Sequence, residues 1–165
     1  MNAIEDTLAA NREFARRFSA GELARTPARS LAVVTCVDAR INVEQALGLA
    51  NGDAHILRNA GAIATDDVVR TLVISHQEFG TREIMVIGHT ECGLLRFDGR
   101  AFSARLERQF GAPEHPLTFH GFDDLEASIR RQVQTIKSHP WLRKALVRGF
   151  VYDVKTGMLN EVKGG

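Results

Sequence analysis

LAVVTCVDAR, residues 31–40, joins a short apolar run to a cluster of reactive side chains. The run from Leu31 to Thr35 is rich in β-branched residues and shows no polar alternation, as expected of a strand covered on both faces. Cys36 lies at the carboxyl end of this predicted strand, and Asp38 and Arg40 follow at alternate positions. A buried strand that ends in this way predicts a functional site at the carboxyl edge of a parallel sheet.

Helical and strand patterns alternate along the rest of the chain. Apolar residues recur at helical spacing in several segments, and short β-branched runs lie between them. We predict helices over residues 2–19, 42–49, 65–79, 102–110 and 123–139, strands over 31–35, 55–58 and 84–88, and a terminal β-hairpin formed by 147–153 and 158–162. The alternation favours an α/β fold with a mainly parallel central sheet of about four strands, flanked by helices, to which the C-terminal hairpin adds an antiparallel edge.

The composition is typical of a folded protein. The chain has 165 residues, of which 44% are hydrophobic and 25% charged, and its net charge is +1. We therefore expect a single domain over residues 1–165 and no nucleic-acid partner. No apolar run approaches the roughly 20 residues of a membrane span, and residues 1–18 lack the apolar stretch of a secretory signal. Cytoplasmic residence is the default expectation, and in that reducing compartment a cysteine pair more often binds metal or acts in catalysis than forms a disulfide.

The two cysteines of the chain and one histidine form a candidate metal site. Cys36 follows the strand predicted over 31–35, and the pattern His89-Thr90-Glu91-Cys92 follows the strand predicted over 84–88. Because parallel strands end at one edge of a sheet, we expect the three side chains to meet there. Zinc prefers such ligands, and three protein ligands leave a fourth tetrahedral position open, as in catalytic zinc sites. The sequence therefore predicts a zinc enzyme.

Asp38 and Arg40 lie close in sequence to the first predicted ligand. Two thiolates and a neutral imidazole would cancel the charge of zinc, so this metal should acidify a bound water less than zinc held by three histidines. Asp38 can accept a hydrogen bond from that water, and the planar guanidinium of Arg40 can hold Asp38 bidentately. We predict that the two residues act as a dyad. If the dyad opened, Asp38 could bind zinc as a fourth ligand and close the site.

Three short motifs together resemble those of a known family. Cys-x-Asp-x-Arg at 36–40 and His-x-x-Cys-Gly at 89–93, with Arg58-Asn59-Ala60-Gly61 between them, are similar to motifs of the β-class carbonic anhydrases. The resemblance covers about residues 2–162. It is closest to the short bacterial branch of the family, which also includes carbonyl sulfide hydrolases.

The resemblance implies an activity, a site and an assembly. The activity is reversible hydration of carbon dioxide to bicarbonate by a zinc-bound hydroxide that the dyad orients. The implied site residues are the Zn²⁺ ligands Cys36, His89 and Cys92, the catalytic dyad of Asp38 and Arg40, and the substrate contacts Asn59, Ala60 and Gly61. The family also implies a homodimer or a higher homo-oligomer, with the N-terminal helix over the neighbouring subunit and active sites at the interface.

Other hypotheses stay open at this point. Many family members use a glutamine just before the first cysteine to hold the substrate, and residues 25–30 contain none, so hydrolysis of carbonyl sulfide by the same site is the main alternative. One further hypothesis is a thiol enzyme with Cys36 or Cys92 as nucleophile, each followed four residues on by an arginine. Another is a non-catalytic zinc-stabilised binding module that Asp38 closes. Residues 59–61 could form only a turn that needs glycine. The other histidines are assigned structural roles: His55, His76, His115, His120 and His139.

Overall fold

A five-stranded sheet organises residues 2–164, the part of the chain that this computed structural model describes. Its strands are β1 (Leu31–Cys36), β2 (Ala54–Asn59), β3 (Glu83–His89), β4 (Leu146–Tyr152) and β5 (Leu159–Val162). Their order in the sheet is β2-β1-β3-β4-β5. Strands β1 to β4 run parallel, and β5 pairs antiparallel with β4. The predicted fold class is thus confirmed, and the first strand of the predicted hairpin is itself the fourth parallel strand.

Five α-helices connect or flank these strands within residues 2–164. They are α1 (Ala3–Arg16), α2 (Val43–Leu47), α3 (Asp66–Gln77), α4 (Gly99–Phe110) and α5 (Leu125–Ser138), and a 3₁₀ helix at Pro140–Leu142 follows α5. The side chains of Asn42, Thr65 and Asp124 cap α2, α3 and α5 by accepting hydrogen bonds from the first turn. None of the helices in this range has the length and apolarity that a membrane span requires.

Two of the predicted helix boundaries lie three residues from those in the structure, and the other boundaries differ by two residues or fewer. Helix α1 ends at Arg16 rather than near residue 19, because the backbone leaves the helical conformation at Arg17. Helix α4 starts at Gly99 rather than near residue 102. Asp98 causes this earlier start: its Oδ1 accepts hydrogen bonds from the main-chain nitrogens of Arg100 and Ala101 at 3.0 and 2.9 Å.

Apolar side chains cover both faces of the sheet. Along β1, Ala32 and Val34 join a cluster with residues of α3 and α5, whereas Val33 joins a second cluster. All residues from Ala32 to Cys36 are buried, which confirms that this strand is covered on both faces. Cys36 and Cys92 belong to the second cluster. The candidate site is therefore part of the core.

Helix α1 presents an apolar face that the rest of residues 2–164 does not cover. The helix contains no buried residue, and Ile4, Leu8 and Phe14 are 68%, 47% and 59% exposed. Helices in proteins gain most of their stability by packing such a face against another element. The helix itself is confirmed, and its apolar face meets no covering element among residues 2–164.

Gly149 of β4 provides a test of the packing between the sheet and α5. A Cβ atom at this position would lie 2.5 Å from Cγ2 of Ile129 and 3.1 Å from Cγ2 of Val133, two buried β-branched side chains with little rotational freedom. We expect Gly149→Ala to lower the free energy of unfolding by about 1–3 kcal/mol, measured by urea denaturation. Gly21→Ala is the control, because a Cβ there meets nothing within 4 Å. Equal stability of the two variants would contradict this packing.

Candidate metal centre

The candidate ligands lie together at the ends of two neighbouring strands. Cys36 is the last residue of β1, His89 is the last residue of β3, and Cys92 follows in the turn after β3. Because β1 and β3 pair in parallel, both end at the same edge of the sheet. The two sulfurs and a ring nitrogen of His89 all lie within 4.8 Å of one another, and all three side chains are buried. The structure thus brings together the three side chains that the sequence grouped.

The hydrogen bonds of His89 leave one ring nitrogen available as a ligand. Its Nδ1 lies 2.8 Å from the carbonyl oxygen of Thr90. A carbonyl only accepts hydrogen bonds, so Nδ1 carries a proton, and in the neutral ring the lone pair is on Nε2. Nε2 is buried and has no hydrogen-bond partner among residues 2–164. A buried polar atom without a partner is costly, and metal-binding histidines commonly donate their other N–H to a carbonyl, so His89 fits a metal ligand.

The two sulfurs influence each other's ionisation. The hydrogen bond from Cys92 lowers the pKa of Cys36 far below its usual range, and the Cys36 thiolate in turn raises the pKa of Cys92. The arrangement therefore favours ionisation of Cys36 over Cys92, and a divalent cation bound between the two sulfurs would favour ionisation of both thiols. Two thiolates and an imidazole form a donor set suited to zinc.

Gly61 supports the first sulfur from the loop after β2. Its main-chain nitrogen donates a hydrogen bond to Sγ of Cys36 at 3.4 Å. Its φ angle is +83°, a left-handed conformation, and a Cβ there would lie 2.8 Å from Cδ1 of Leu94. Only glycine fits this position without strain. Gly61 therefore contacts a candidate ligand, in addition to shaping the turn.

Asp38 and Arg40 form a bidentate ion pair beside the sulfurs. Nε and Nη2 of Arg40 donate to Oδ1 and Oδ2 of Asp38 at 3.0 and 2.8 Å, and the main-chain nitrogen of Arg40 donates to Oδ1 at 2.9 Å. These hydrogen bonds hold the pKa of the Asp38 carboxyl well below its usual range, so the group stays ionised at neutral pH. Oδ2 of Asp38 lies 3.8 Å from Nε2 of His89. The carboxylate therefore stands close to the ligand cluster while Arg40 holds both of its oxygens.

Arg40 makes a second set of contacts, which the sequence did not predict. Glu91 accepts hydrogen bonds from Nη1 of Arg40 on Oε2 at 3.1 Å and from Nη2 on its carbonyl oxygen at 3.2 Å. Lys155, in the turn between β4 and β5, lies 2.7 Å from Oε1 of Glu91. The position of Glu91 between His89 and Cys92 was a signal that it lies near the site. Nothing in the sequence indicated that Lys155 would reach it.

Residues 59–61, predicted as substrate contacts, comprise the last residue of β2 and the first two residues of the turn that follows it. The side-chain amide of Asn59 donates to the carbonyl oxygen of Ile63 at 2.7 Å and accepts from its nitrogen at 2.8 Å, so both polar atoms stabilise this turn. Ala60 is exposed. The role of Asn59, Ala60 and Gly61 at the substrate stays a prediction.

The other histidines lie outside the cluster of candidate ligands. Nδ1 of His55 contacts Oγ of Ser75, Nδ1 of His76 contacts the carbonyl oxygen of Thr81, and Nδ1 of His139 accepts from the nitrogen of Trp141. His115 and His120 are exposed. These contacts agree with structural roles for the first three.

Known proteins resemble this chain both in sequence and in fold. A family model described as carbonic anhydrase matches residues 31–104, which include the three candidate ligands. Beta-carbonic anhydrase 1 of Mycobacterium tuberculosis is 39% identical over 168 residues, which cover 98% of this chain and 99% of that protein. This chain belongs to the β-carbonic anhydrase family. A crystal structure of carbonic anhydrase from Streptococcus mutans matches with a TM-score of 0.91 at 40% identity and covers 99% of both chains.

Another similar protein is named for a different reaction. Carbon disulfide hydrolase from an Acidianus species is 34% identical over 157 residues, which cover 81% of this chain and 77% of that protein. The resemblance to β-class carbonic anhydrases is thus confirmed. The same comparisons include a protein named for the hydrolysis of a sulfur-containing substrate.

The candidate ligands can be tested through metal binding. We expect chelator-treated protein to bind one cobalt ion per chain and to develop thiolate-to-cobalt absorption in the near ultraviolet, because two sulfurs and one imidazole converge. His89→Ala should abolish stoichiometric binding, since it removes the unpaired Nε2. His115→Ala, at an exposed histidine outside the cluster, is the control. Undiminished cobalt binding by His89→Ala would contradict the ligand assignment.

Proposed function

We propose that the protein is a zinc-dependent enzyme that reversibly hydrates carbon dioxide to bicarbonate. The observation that carries this proposal is the convergence of two buried sulfurs and the free lone pair of His89 within 4.8 Å, beside a carboxylate that Arg40 holds ionised. Membership of the β-carbonic anhydrase family supports the same conclusion. Cytoplasmic residence belongs to the proposal, because a reducing compartment keeps a neighbouring pair of cysteines free to bind metal.

The donor set of Cys36, His89 and Cys92 would hold zinc and leave one coordination position for solvent. When bound, zinc would act as a Lewis acid that lowers the pKa of a water molecule and so supplies a nucleophile for carbon dioxide. The ligand charges largely cancel that of the ion, so the protein must contribute to the orientation and deprotonation of water.

Asp38 supplies this contribution. Its carboxylate can accept a hydrogen bond from the reacting water on Oδ2, the oxygen nearer to Nε2 of His89, and so direct the oxygen lone pair at the carbon of the substrate. Arg40 keeps Asp38 ionised and holds both carboxylate oxygens, which opposes its movement to the metal. In this arrangement Asp38 acts as an orienting acceptor rather than as a fourth ligand.

A catalytic test follows from this role. Zinc-loaded protein should hydrate carbon dioxide in a stopped-flow indicator assay, with a rate that rises toward alkaline pH. We expect Asp38→Ala to lower kcat/KM by about 100-fold or more, because the acceptor that orients water is lost. Asp67→Ala is a matched control, since Asp67 pairs with Arg70 on the surface of α3. Full zinc content without activity at any pH would instead favour a non-catalytic module.

Hydrolysis of carbonyl sulfide or carbon disulfide by the same residues is the second candidate function. The relative named carbon disulfide hydrolase favours it, as does the absence of a glutamine in residues 25–30. Each of these substrates is, like carbon dioxide, a linear molecule of three atoms with a central electrophilic carbon. Measurement of released hydrogen sulfide beside the hydration assay distinguishes the candidates, and we expect the larger kcat/KM for carbon dioxide.

The exposed face of α1 supports a proposal about assembly. We propose that it packs against a second copy of the chain, because a helix with large apolar side chains and no buried residue requires a partner. Its surface carries charges of both signs, including Glu5, Glu13 and Arg16, so two copies can approach without net repulsion.

The assembly can be tested with two neighbouring substitutions on α1. We expect the protein to form a dimer or a higher oligomer in light scattering coupled to size exclusion. Leu8→Glu should shift the mass toward the monomer, because it places a charge in the apolar face. Ala9→Glu introduces the same charge at the next position along the helix, away from the line of Ile4 and Leu8, and should leave the mass unchanged. A monomeric wild-type protein would overturn the proposal.

A further inference from the structure

Arg58 of β2 makes an unusual set of contacts with the loop that carries Asp38. This loop together with Cys36, the last residue of β1, spans residues 36–41 and is called the dyad loop below. Nε of Arg58 donates to the carbonyl oxygen of Cys36 at 2.8 Å, Nη2 to that of Asp38 at 2.7 Å, and Nη1 to that of Ile41 at 3.1 Å. All three guanidinium nitrogens therefore bind main-chain oxygens of the same short loop.

The dyad loop lacks the ladder of hydrogen bonds that orders the strand before it. Pairing of β1 with β2 ends at Cys36 and Asn59, followed by one bond from the nitrogen of Val37 to the carbonyl oxygen of Asn59 at 3.0 Å. Beyond that point a main-chain bond joins the nitrogen of Ile41 to the carbonyl oxygen of Asp38 at 3.1 Å. The position of the loop thus depends strongly on donors from side chains.

Arg58 forms no salt bridge with a carboxylate within residues 2–164. Its charged donors bind neutral carbonyl groups instead, and such charge-assisted hydrogen bonds are stronger than those between neutral groups. Arg40 differs, because its guanidinium binds the carboxylates of Asp38 and Glu91. The two arginines therefore act on different parts of the dyad loop, Arg40 on a side chain and Arg58 on the backbone.

We propose that Arg58 is a positioning residue of the active site, which fixes the backbone of the dyad loop and thereby sets where Asp38 stands relative to the metal ligands. This inference rests on the proposed function. Arg58 binds the main-chain carbonyl oxygens of Cys36 and Asp38. A shift of its side chain would therefore move both of these residues. Misplacement of a catalytic group by about 1 Å can cost about 100-fold in rate.

The geometry requires an arginine. The three acceptors belong to residues spread over the loop, and the planar guanidinium presents its N–H donors in a fixed fork that reaches all of them. An ammonium group has the same charge but a single nitrogen, so a lysine side chain at this position could not reproduce the three contacts. Arg58→Lys therefore separates the geometry of the fork from its charge.

The test compares wild type, Arg58→Lys and Arg58→Gln in three measurements. We expect kcat for hydration to fall about 10–100-fold in both variants with KM nearly unchanged. Loss of residues that orient metal ligands through hydrogen bonds typically has an effect of this size. In the metal-free protein, amide hydrogen exchange at Arg40 and Ile41 should accelerate while the amides of β3 keep their protection. In the cobalt form, the visible absorption bands should change, because the position of Asp38 beside the metal changes.

Arg148→Lys is the matched control. Arg148 also binds through two nitrogens, at 2.7 and 2.6 Å, but its partner is Glu161 on the β4–β5 hairpin. We expect this variant to keep wild-type kcat, exchange at Arg40 and Ile41, and cobalt bands. A surface ion pair of this kind contributes little to stability, so the fold should persist.

Two results would overturn the positioning role. The first is wild-type kcat, exchange and cobalt bands in Arg58→Lys and Arg58→Gln. The second is accelerated exchange throughout the sheet with a lower thermal midpoint, which would make Arg58 a general stabilising residue. If the wild-type protein fails to hydrate carbon dioxide, the proposed function fails, and the exchange and cobalt measurements still decide whether Arg58 positions the loop.

Discussion

The parallel pairing of β1 with β3 is the constraint on which the metal centre depends. Thr35 lies opposite Ile87, so Cys36 and His89 leave the sheet at the same edge. A slip of one residue in this register would turn the side chains of one strand to its other face and separate the sulfur from the imidazole. The register itself rests on packing, because both faces of these strands are covered by apolar side chains. The geometry of the site is therefore a consequence of how the core packs.

Placement of the ligands inside the core makes their hydrogen bonding informative. Buried polar groups are costly unless they find partners, and the chain provides such partners elsewhere. Oγ1 of Thr35 donates to the carbonyl oxygen of Ile87, and the hydroxyl groups of Ser75 and Thr81 bind each other. Among the buried side-chain nitrogens and oxygens of residues 2–164, Nε2 of His89 stands alone without a partner. That this atom lies where two sulfurs meet is the strongest structural argument for a metal ligand.

The sequence predicted local features well and long-range contacts only where strand order determined them. The strand before Cys36 and the meeting of Cys36 with His89 followed from hydrophobic patterns and from the rule that parallel strands end at one edge. The start of α4 was missed although Asp98 is a common capping residue. The contacts of Lys155 with Glu91 and of Arg58 with the dyad loop could not be predicted, because they depend on side-chain reach across separate segments.

The acceptors that the charged groups bind decide which contacts can order the dyad. Side chains of Arg40, Glu91 and Lys155 are 46%, 48% and 76% exposed, and ion pairs at such positions are individually weak. They can adjust the orientation of Arg40 but cannot by themselves fix a loop. Main-chain carbonyls move only with the backbone, so donors that bind them restrict the loop more directly than donors that bind mobile carboxylates. Precision at Asp38 therefore has to come from the backbone of residues 36–41, and the side-chain ion pairs act on a loop that is already in place.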